Sequence, residues 1–600
     1  MSERIEGSGA AGTPSPAATL TGEQSDVEKA PVFNEQTKYL PKRRIVSVFL
    51  ACASIDFAAL LDQTSLAASL SIIGRSLNAS NQSSWISGAY FVTSTSFQLL
   101  YGRLSDIWSR KIILLIGIAI FFFGSLASSL SQNVIQLIVF RAFTGVGGGG
   151  LMTVAQFIVS DVVPLRERGK YQGILGAFVA LGNGVGPVIG GALASSSADG
   201  WRWIFRLNLP LSVVMVLCVV FFMPLKKVEG EWKLYVRPYS RSTDTTSLNA
   251  RLRHSKIKAV DFFGAVLALG GSAVLVLALT WAGGEYAWAS AHVIASFVVG
   301  IAVCICFVLW QWKGTSVPLV PLHIFRSRVV AGASITMFIN GWNFVTQIYY
   351  IPTFYQLAYA RSATVSALLL LPLTLTQTLA STLTGLLVSA TGRYREAILA
   401  GWALWAVGLG LFSTLDDYSG VGKQVGYAVL TGAGVGATLQ PSLVAIQAGV
   451  PRGDMAVVTA WRNFVRNLGA TLGLAVAGTV VNNAVEGAVG ALGLGEGEVR
   501  RLLRNPESVL EEMGGGGRAE RVRSALEGAY RRGFRTLFWI DAAAAAVAFC
   551  VAAALLPQVS LVREDDGKLK EEARRKEEER RRAGKGEVEV GAGETEKDGA

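Results

Sequence analysis

An all-α bundle that crosses a membrane many times is the fold class predicted by three observations on this 600-residue chain. It is 51% hydrophobic and only 16% charged, where an ordinary soluble domain carries about a quarter charged residues. Its mean hydropathy is +0.41. Apolar runs of the roughly 20 residues that a helix needs to cross a bilayer recur along most of its length. Other classes are excluded on the same figures. The 66 glycines follow no Gly-X-Y period, which rules out collagen. Aromatics at 10% and long apolar runs rule out a disordered chain. The net charge of +12 is spread between apolar segments rather than gathered on one domain, which argues against a nucleic-acid partner.

The elements follow in order. Residues 1–44, rich in Ser, Gly, Pro, Thr and Glu, read as a disordered tail. They lack the basic-then-apolar start of a cleaved signal peptide. Six apolar spans come next, at 45–73, 83–101, 112–130, 135–161, 171–194 and 207–223. A basic loop at 224–259 leads to two further spans, 260–281 and 291–312, and a second loop at 313–328. Six more lie at 329–351, 363–388, 397–415, 425–448, 456–482 and 536–556. The last two are separated by a loop, 483–535, with nine basic and eight acidic residues and a short amphipathic helix expected near Val499–Leu503. Residues 557–600 form a mixed-charge tail.

Loop charge orients this bundle, because Lys and Arg favour the cytoplasmic side. Loops after even-numbered spans up to the twelfth hold 21 basic residues, against 5 after odd-numbered ones. Both termini are therefore expected in the cytoplasm, and loop 483–535 outside. Asn78 and Asn81 begin overlapping sequons in the first outer loop and are candidate glycosylation sites. The five cysteines sit in apolar stretches and read as small hydrophobes. The three histidines are too scattered for a metal site.

The chain also repeats itself. Gly102 maps onto Gly385 and Arg110 onto Arg393, an offset of 283, and the same offset carries Gly186 and Gly190 onto Gly469 and Gly473. Thr144-Gly-Val-Gly147 matches Thr431-Gly-Ala-Gly434 at 287. Spans 2, 4 and 5 thus correspond to 10, 12 and 13, which gives six helices, two inserted helices and six more.

Charge inside a membrane is expensive and therefore marks function. Span 1 holds Asp56 and Asp62, on different faces because six residues turn a helix by about 600°. Span 4 holds Arg141, span 13 holds Arg462 and Arg466, and span 14 holds Asp541. A carboxylate that gains or loses an arginine partner can release or take up a proton. Span 5 reads Gly182-Asn-Gly-Val-Gly186-Pro187-Val-Ile-Gly190-Gly191. Glycines four apart admit a neighbouring helix closely, and a proline favours a kink. Such a seam is where two rocking halves would hinge. A cargo site is expected at the midplane between the halves. Span 9 supplies Asn340, Trp342, Asn343, Gln347, Tyr349 and Tyr350, with Gln98 on span 2 and Gln440 on span 12. Amides and rings together suit an amphipathic or aromatic molecule. The run Gly145–Gly150 lacks the strand before and the Gly-Lys-Ser/Thr after it that a phosphate loop needs, and no enzyme signal remains.

From about Leu50 to Leu556 the chain resembles the major facilitator superfamily, and most closely its fungal fourteen-span drug:proton antiporters. Gly182 to Gly191 match the antiporter motif GxxxGPxxGG in full. Gly102, Leu104, Asp106, Arg110 and Lys111 match the loop motif GxLxDxxGRK, with Ser109 in place of its second glycine, so that the turn is expected to be looser. Arg141 and Gly145 match the span-4 motif, though Thr144 stands where Gln is common. Leu61, Asp62 and Thr64 match the span-1 signature LDxT, and Pro164, Arg166, Arg168, Gly169 and Lys170 resemble the group's basic loop. The resemblance implies proton coupling by Asp62 and Arg141, joined by Asp56. It also implies a charge latch of Asp106, Arg110 and Lys111 beside Gly102. The function it implies is a monomeric plasma-membrane pump that exports drugs or secondary metabolites on the proton gradient, without a cofactor. A vacuolar basic amino acid transporter shares the architecture, and Asp56 favours its cationic cargo. A non-transporting sensor with the same fold is the third reading.

Overall fold

A computed structural model describes residues 42–561, apart from 68, 78–82, 164, 198, 224–259, 283–285, 316–317, 360, 362, 417–418, 452–453 and 491–516. The tail 1–41, the basic loop, the sequons at Asn78 and Asn81, the helix expected at Val499–Leu503 and the tail 562–600 lie outside the described residues.

The apolar runs fold as helices because, without water, backbone polar groups must be satisfied within the segment. In order, the helices are α1 (Lys42–Ala67), α2 (Leu70–Ser76), α3 (Ser83–Ile107), α4 (Arg110–Leu130), α5 (Val134–Val162), α6 (Leu165–Ser195) and α7 (Arg202–Phe222). There follow α8 (Phe262–Trp281), α9 (Ala291–Leu309), α10 (Arg328–Tyr359), α11 (Ala363–Thr391), α12 (Arg395–Phe412), α13 (Val421–Ala448), α14 (Met455–Gly490) and α15 (Gly517–Leu555). Twelve of the described helices are long and apolar enough to cross a membrane. Two more, α3 and α6, have the length, 25 and 31 residues. Hydroxyl and amide side chains dilute the hydropathy of α3, and a charged first turn with many glycines dilutes that of α6.

Several helices outrun the apolar spans. Most notably, α14 runs on to Gly490 and α15 begins at Gly517, which shortens the expected loop 483–535 from both sides. The first turns of α15 are arginine-rich and amphipathic, with Val522, Leu526 and Ala529 buried. A hydropathy window passes over such a segment although its helical period is intact.

Packing follows the sequence repeat. In the first group α1 lies on α5, α6 and α7, α3 on α5, and α4 on α5 and α7. In the second, α10 lies on α13, α14 and α15, α11 on α13, and α12 on α13 and α15. Glycine sets these approaches. A Cβ at Gly186 or Gly190 of α6 would overlap the Thr64 hydroxyl or the Ser65 carbonyl of α1. One at Gly469 of α14 would overlap the Phe338 carbonyl of α10, and one at Gly473 would come 2.9 Å from the Trp342 carbonyl. The turns of the repeat differ. Gly392 has φ +74°, the left-handed region that glycine enters freely. Its counterpart Ser109 is extended at φ −60°, ψ 130°.

The groups meet where α6 runs along α11 and α3 along α14. Ala456 and Ala460 of α14 enter the first group's core, and a Cβ at Gly102 would lie 2.9 Å from that of Ala460. The α8–α9 hairpin lies over the α3–α14 seam. Trp85 of α3 meets Trp281 edge-on at 5.9 Å, and the Trp288 indole donates to the Thr479 hydroxyl of α14 at 2.5 Å. The base of the hairpin is fixed by Asp261, which accepts from Gly264 N–H, the Trp310 indole and the Gln311 amide at 2.8–2.9 Å. On α9, Val298, Ile301 and Ile305 are exposed, as expected of a face turned to lipid.

Candidate functional site

Between the two groups lies a cavity of about 130 Å³. Its walls come from α1, α3, α5 and α6 on one side and α10, α11, α13 and α14 on the other. Asp56 lines the first wall, and Arg462 and Arg466 line the second. Asp56 is buried, and its Oδ1 makes no hydrogen bond among the described residues. Amides dominate the remaining polar lining, including Gln63, Gln98, Gln156, Gln377 and Gln440, while Tyr90, Phe91, Phe344 and Tyr349 supply rings. Asn463 donates across to Gln156 at 3.0 Å and ties α14 to α5 near the Gly102–Ala460 contact.

One side chain behind the first wall is a dry ion pair. Arg141 Nη1 lies 2.8 and 3.1 Å from the two Asp62 oxygens, with both side chains at most 1% exposed. The Asn208 amide of α7 donates to Asp62 Oδ1 at 2.6 Å. The Arg141 guanidinium stacks 4.6 Å over the Tyr90 ring and 5.6 Å from that of Phe205. The other side of Tyr90 is in the cavity, where its hydroxyl accepts from the Gln63 amide at 3.2 Å. Asp62 therefore communicates with the cavity through Arg141 and one aromatic ring.

The second group has a buried acid of its own. Asp541 of α15 accepts from the Trp342 indole at 2.9 Å, while among the described residues its Oδ2 makes no hydrogen bond and no cation pairs with it. The Asn343 amide donates to the Asp541 backbone carbonyl at 3.0 Å.

The family follows from sequence comparison laid over this geometry. Residues 52–474 match the Major Facilitator Superfamily profile. The chain belongs to the major facilitator superfamily. Its relatives include the efflux pump dotC of Dothistroma septosporum, 32% identical over 441 residues that cover 74% of this chain and 72% of that one. Citrate exporter 1 of Yarrowia lipolytica is 31% identical and covers 79% and 67%. The acurin A biosynthesis cluster MFS-type transporter of Aspergillus aculeatus is 31% identical and covers 83% and 84%. Among solved structures, the major facilitator proton:xylose symporter XylE superposes with TM-score 0.54 at 11% identity, over 87% of this chain and 98% of that one. This last likeness speaks for the fold alone. The protein is a multi-pass membrane transporter of the efflux-pump group, and not an enzyme.

As a major facilitator protein it distributes the sequence candidates unevenly. Asp62 and Arg141 come together, and Asp56, Gln98 and Gln440 line the cavity. Asn340 sits one layer back, where its Oδ1 accepts from Arg466 Nε at 3.0 Å. Trp342 and Asn343 turn to α15, Gln347 is buried outside the lining, and Tyr350 packs on Phe534 with ring centroids 6.2 Å apart. Those four lie off the cavity lining, apart from the place the sequence expects for them. Polar groups in a membrane bundle serve as glue between helices as readily as they line a cavity.

The motif glycines also need correcting. Gly182, Gly186 and Gly190 all face α1, so the tight seam lies inside the first group rather than between the two. Gly191 has nothing within 4 Å of its added Cβ. In the loop motif, Lys111 donates to the carbonyls of Val220 and Met223 at 2.8 and 2.6 Å and so holds the C-terminus of α7. Arg110 lies 5.6 Å over the Phe157 ring of α5. The Asp106 side chain and those of Arg166, Arg168 and Lys170 are outside the described residues. Arg462 and Arg466 are cavity residues that the sequence marked only as intramembrane charges.

Proposed function

We propose that this protein is a proton-coupled exporter of small organic molecules, a multidrug or secondary-metabolite efflux pump of the plasma membrane. The observation that carries the reading is the Asp62–Arg141 pair, held one ring behind the cavity wall. Pairing with Arg141 and carrying a proton are competing states of the Asp62 carboxylate. A movement of Tyr90 on cargo arrival would shift Arg141 and bias that competition. Asp56, on the wall itself, is the first acid a proton entering the cavity would meet. The named relatives that export small molecules support the outward direction.

On this reading fourteen helices cross the membrane as six, two and six, with both termini cytoplasmic, and the protein works as a monomer. The end of the cavity closed by the Gly102–Ala460 and Asn463–Gln156 contacts is then the cytoplasmic end. The energy source is the proton gradient, and no cofactor takes part.

The test is flux in sealed vesicles containing the purified chain, with an imposed pH gradient and a panel of neutral, anionic and cationic organic compounds. Gradient-dependent movement is expected with the unaltered protein. It should vanish in Asp62→Asn, which still reaches the membrane. Undiminished gradient-driven flux in that variant would remove Asp62 from the coupling.

A further inference from the structure

The cavity wall carries two arginines close together. Arg462 and Arg466 stand four residues apart on α14, and both line the cavity. Like charges at that spacing repel, more strongly in a dry bundle than on a wet surface. Natural bundles pair such cations with carboxylates or hold them for a ligand. Here no described carboxylate pairs with either. The Arg462 Nη atoms reach only neutral acceptors, Asn463 Oδ1 at 3.1 Å and the Leu439 carbonyl at 2.9 Å. Its Nε makes no hydrogen bond among the described residues, although the residue is only 3% exposed. Arg466 spends its Nε on Asn340 and stacks 4.9 Å over the Phe344 ring. Each guanidinium has five donors and no acceptor, and its charge is permanent. Asp56 is the one acid among the described lining residues, so with it ionised the formal charge of that lining is +1.

We propose that the cargo is a ring-bearing organic anion, a carboxylate, sulfonate or enolate, whose charged end is held by Arg462 and Arg466. The rings of Phe344, Tyr349, Tyr90 and Phe91 take its apolar body, and the lining amides orient it. A guanidinium pair gives charge-assisted, two-point recognition that a neutral amide cannot match. The charge sign also separates the readings of function, because a basic amino acid would meet two arginines. The proposal rests on the exporter reading for its cargo's direction but not on the coupling ion. Outward movement of an anion runs with an interior-negative potential.

The experiment is equilibrium binding to the purified full chain in detergent, with three probes of one shape. They are 2-naphthalenesulfonate, ionised throughout the working pH range, neutral 2-naphthalenesulfonamide, and cationic 2-naphthylmethylammonium. The sulfonate is expected to bind at least about tenfold tighter than the sulfonamide, with the ammonium weakest. Arg462→Gln and Arg466→Gln should each erase most of that preference. Arg462→Lys and Arg466→Lys should keep part of it, and Arg326→Gln, on an exposed turn, all of it. Equal affinity for sulfonate and sulfonamide, tightest binding of the ammonium, or no binding of any probe would overturn the proposal. The ranking on the unaltered protein decides even where a glutamine variant fails to fold. A sulfonate preference in binding together with no flux of any compound in vesicles would leave the anion site standing and sink the exporter reading.

Discussion

Each helix group buries an acid where corresponding helices meet, Asp62 in the first and Asp541 in the second, and they treat it in opposite ways. In the first group Asp62 of α1 has a guanidinium from α5 and an amide from α7. In the second the acid has moved to α15, its partner on α10 is the Trp342 indole, and no described cation is present. The same packing thus holds a charge-compensated cluster on one side and an uncompensated one on the other. A buried pair is most sensitive to loss of one member, because the survivor keeps its charge without a counter-charge. An acid with no cation beside it strands nothing when it is replaced. The difference marks the first cluster as the one built around charge.

The largest effect is expected at Asp62. Asp62→Ala should lower stability by about 3–5 kcal/mol, read as thermal unfolding in detergent, because Arg141 stays buried alone. A loss below about 1 kcal/mol would mean that water or another acid reaches Arg141. Next come the repeat glycines. Gly469→Ala should cost about 1–3 kcal/mol or more, since its Cβ meets the rigid Phe338 carbonyl. Gly186→Ala should cost less, because it meets the Thr64 side chain first and its nearest backbone atom, Ser65 N, lies at 3.2 Å, and Gly191→Ala should be silent. Equal costs at Gly469 and Gly186 would show that α1 and α10 are held equally firmly. Gly392→Ala should cost about 1 kcal/mol for its left-handed backbone, while Ser109→Gly gains nothing from glycine's extra freedom. The smallest effect belongs to the second acid. Asp541→Asn should change stability by less than about 1 kcal/mol while the Trp342 contact persists. A loss as large as that at Asp62 would erase the contrast between the clusters.

Helix positions were legible in the sequence wherever an apolar run filled a whole span, as in α4, α7, α8 and α9. They were illegible where amphipathic turns extended a span, as in the arginine-rich start of α15. Asp62 and Arg141 each stood out because so few charges lie in the membrane, while what put the two into one role was the family resemblance and not the charge pattern. Cargo residues on α10 were not. Residue type picked Asn340, Trp342, Asn343, Gln347, Tyr349 and Tyr350; of these Tyr349 lines the cavity, beside Phe344, Val345 and Ile348, which residue type passed over. Which stripe of a helix looks inward depends on its rotation about its own axis, and a helix polar on two faces does not declare that angle. At Ser109, where a looser turn was expected, the backbone is extended and unstrained, and the left-handed residue belongs to the other repeat.

The α8–α9 hairpin makes the two flanks of the transporter unequal toward lipid. On the α3–α14 flank, Trp85, Trp281 and Trp288 form an aromatic lintel between the bilayer and the interior. Along the α6–α11 flank no such hairpin lies among the described residues, and small residues, Gly176 against Ser381, let the two helices approach. Any parting of α3 from α14 must also slide the hairpin, so the motion that opens the cavity on that flank drags two extra helices through viscous lipid.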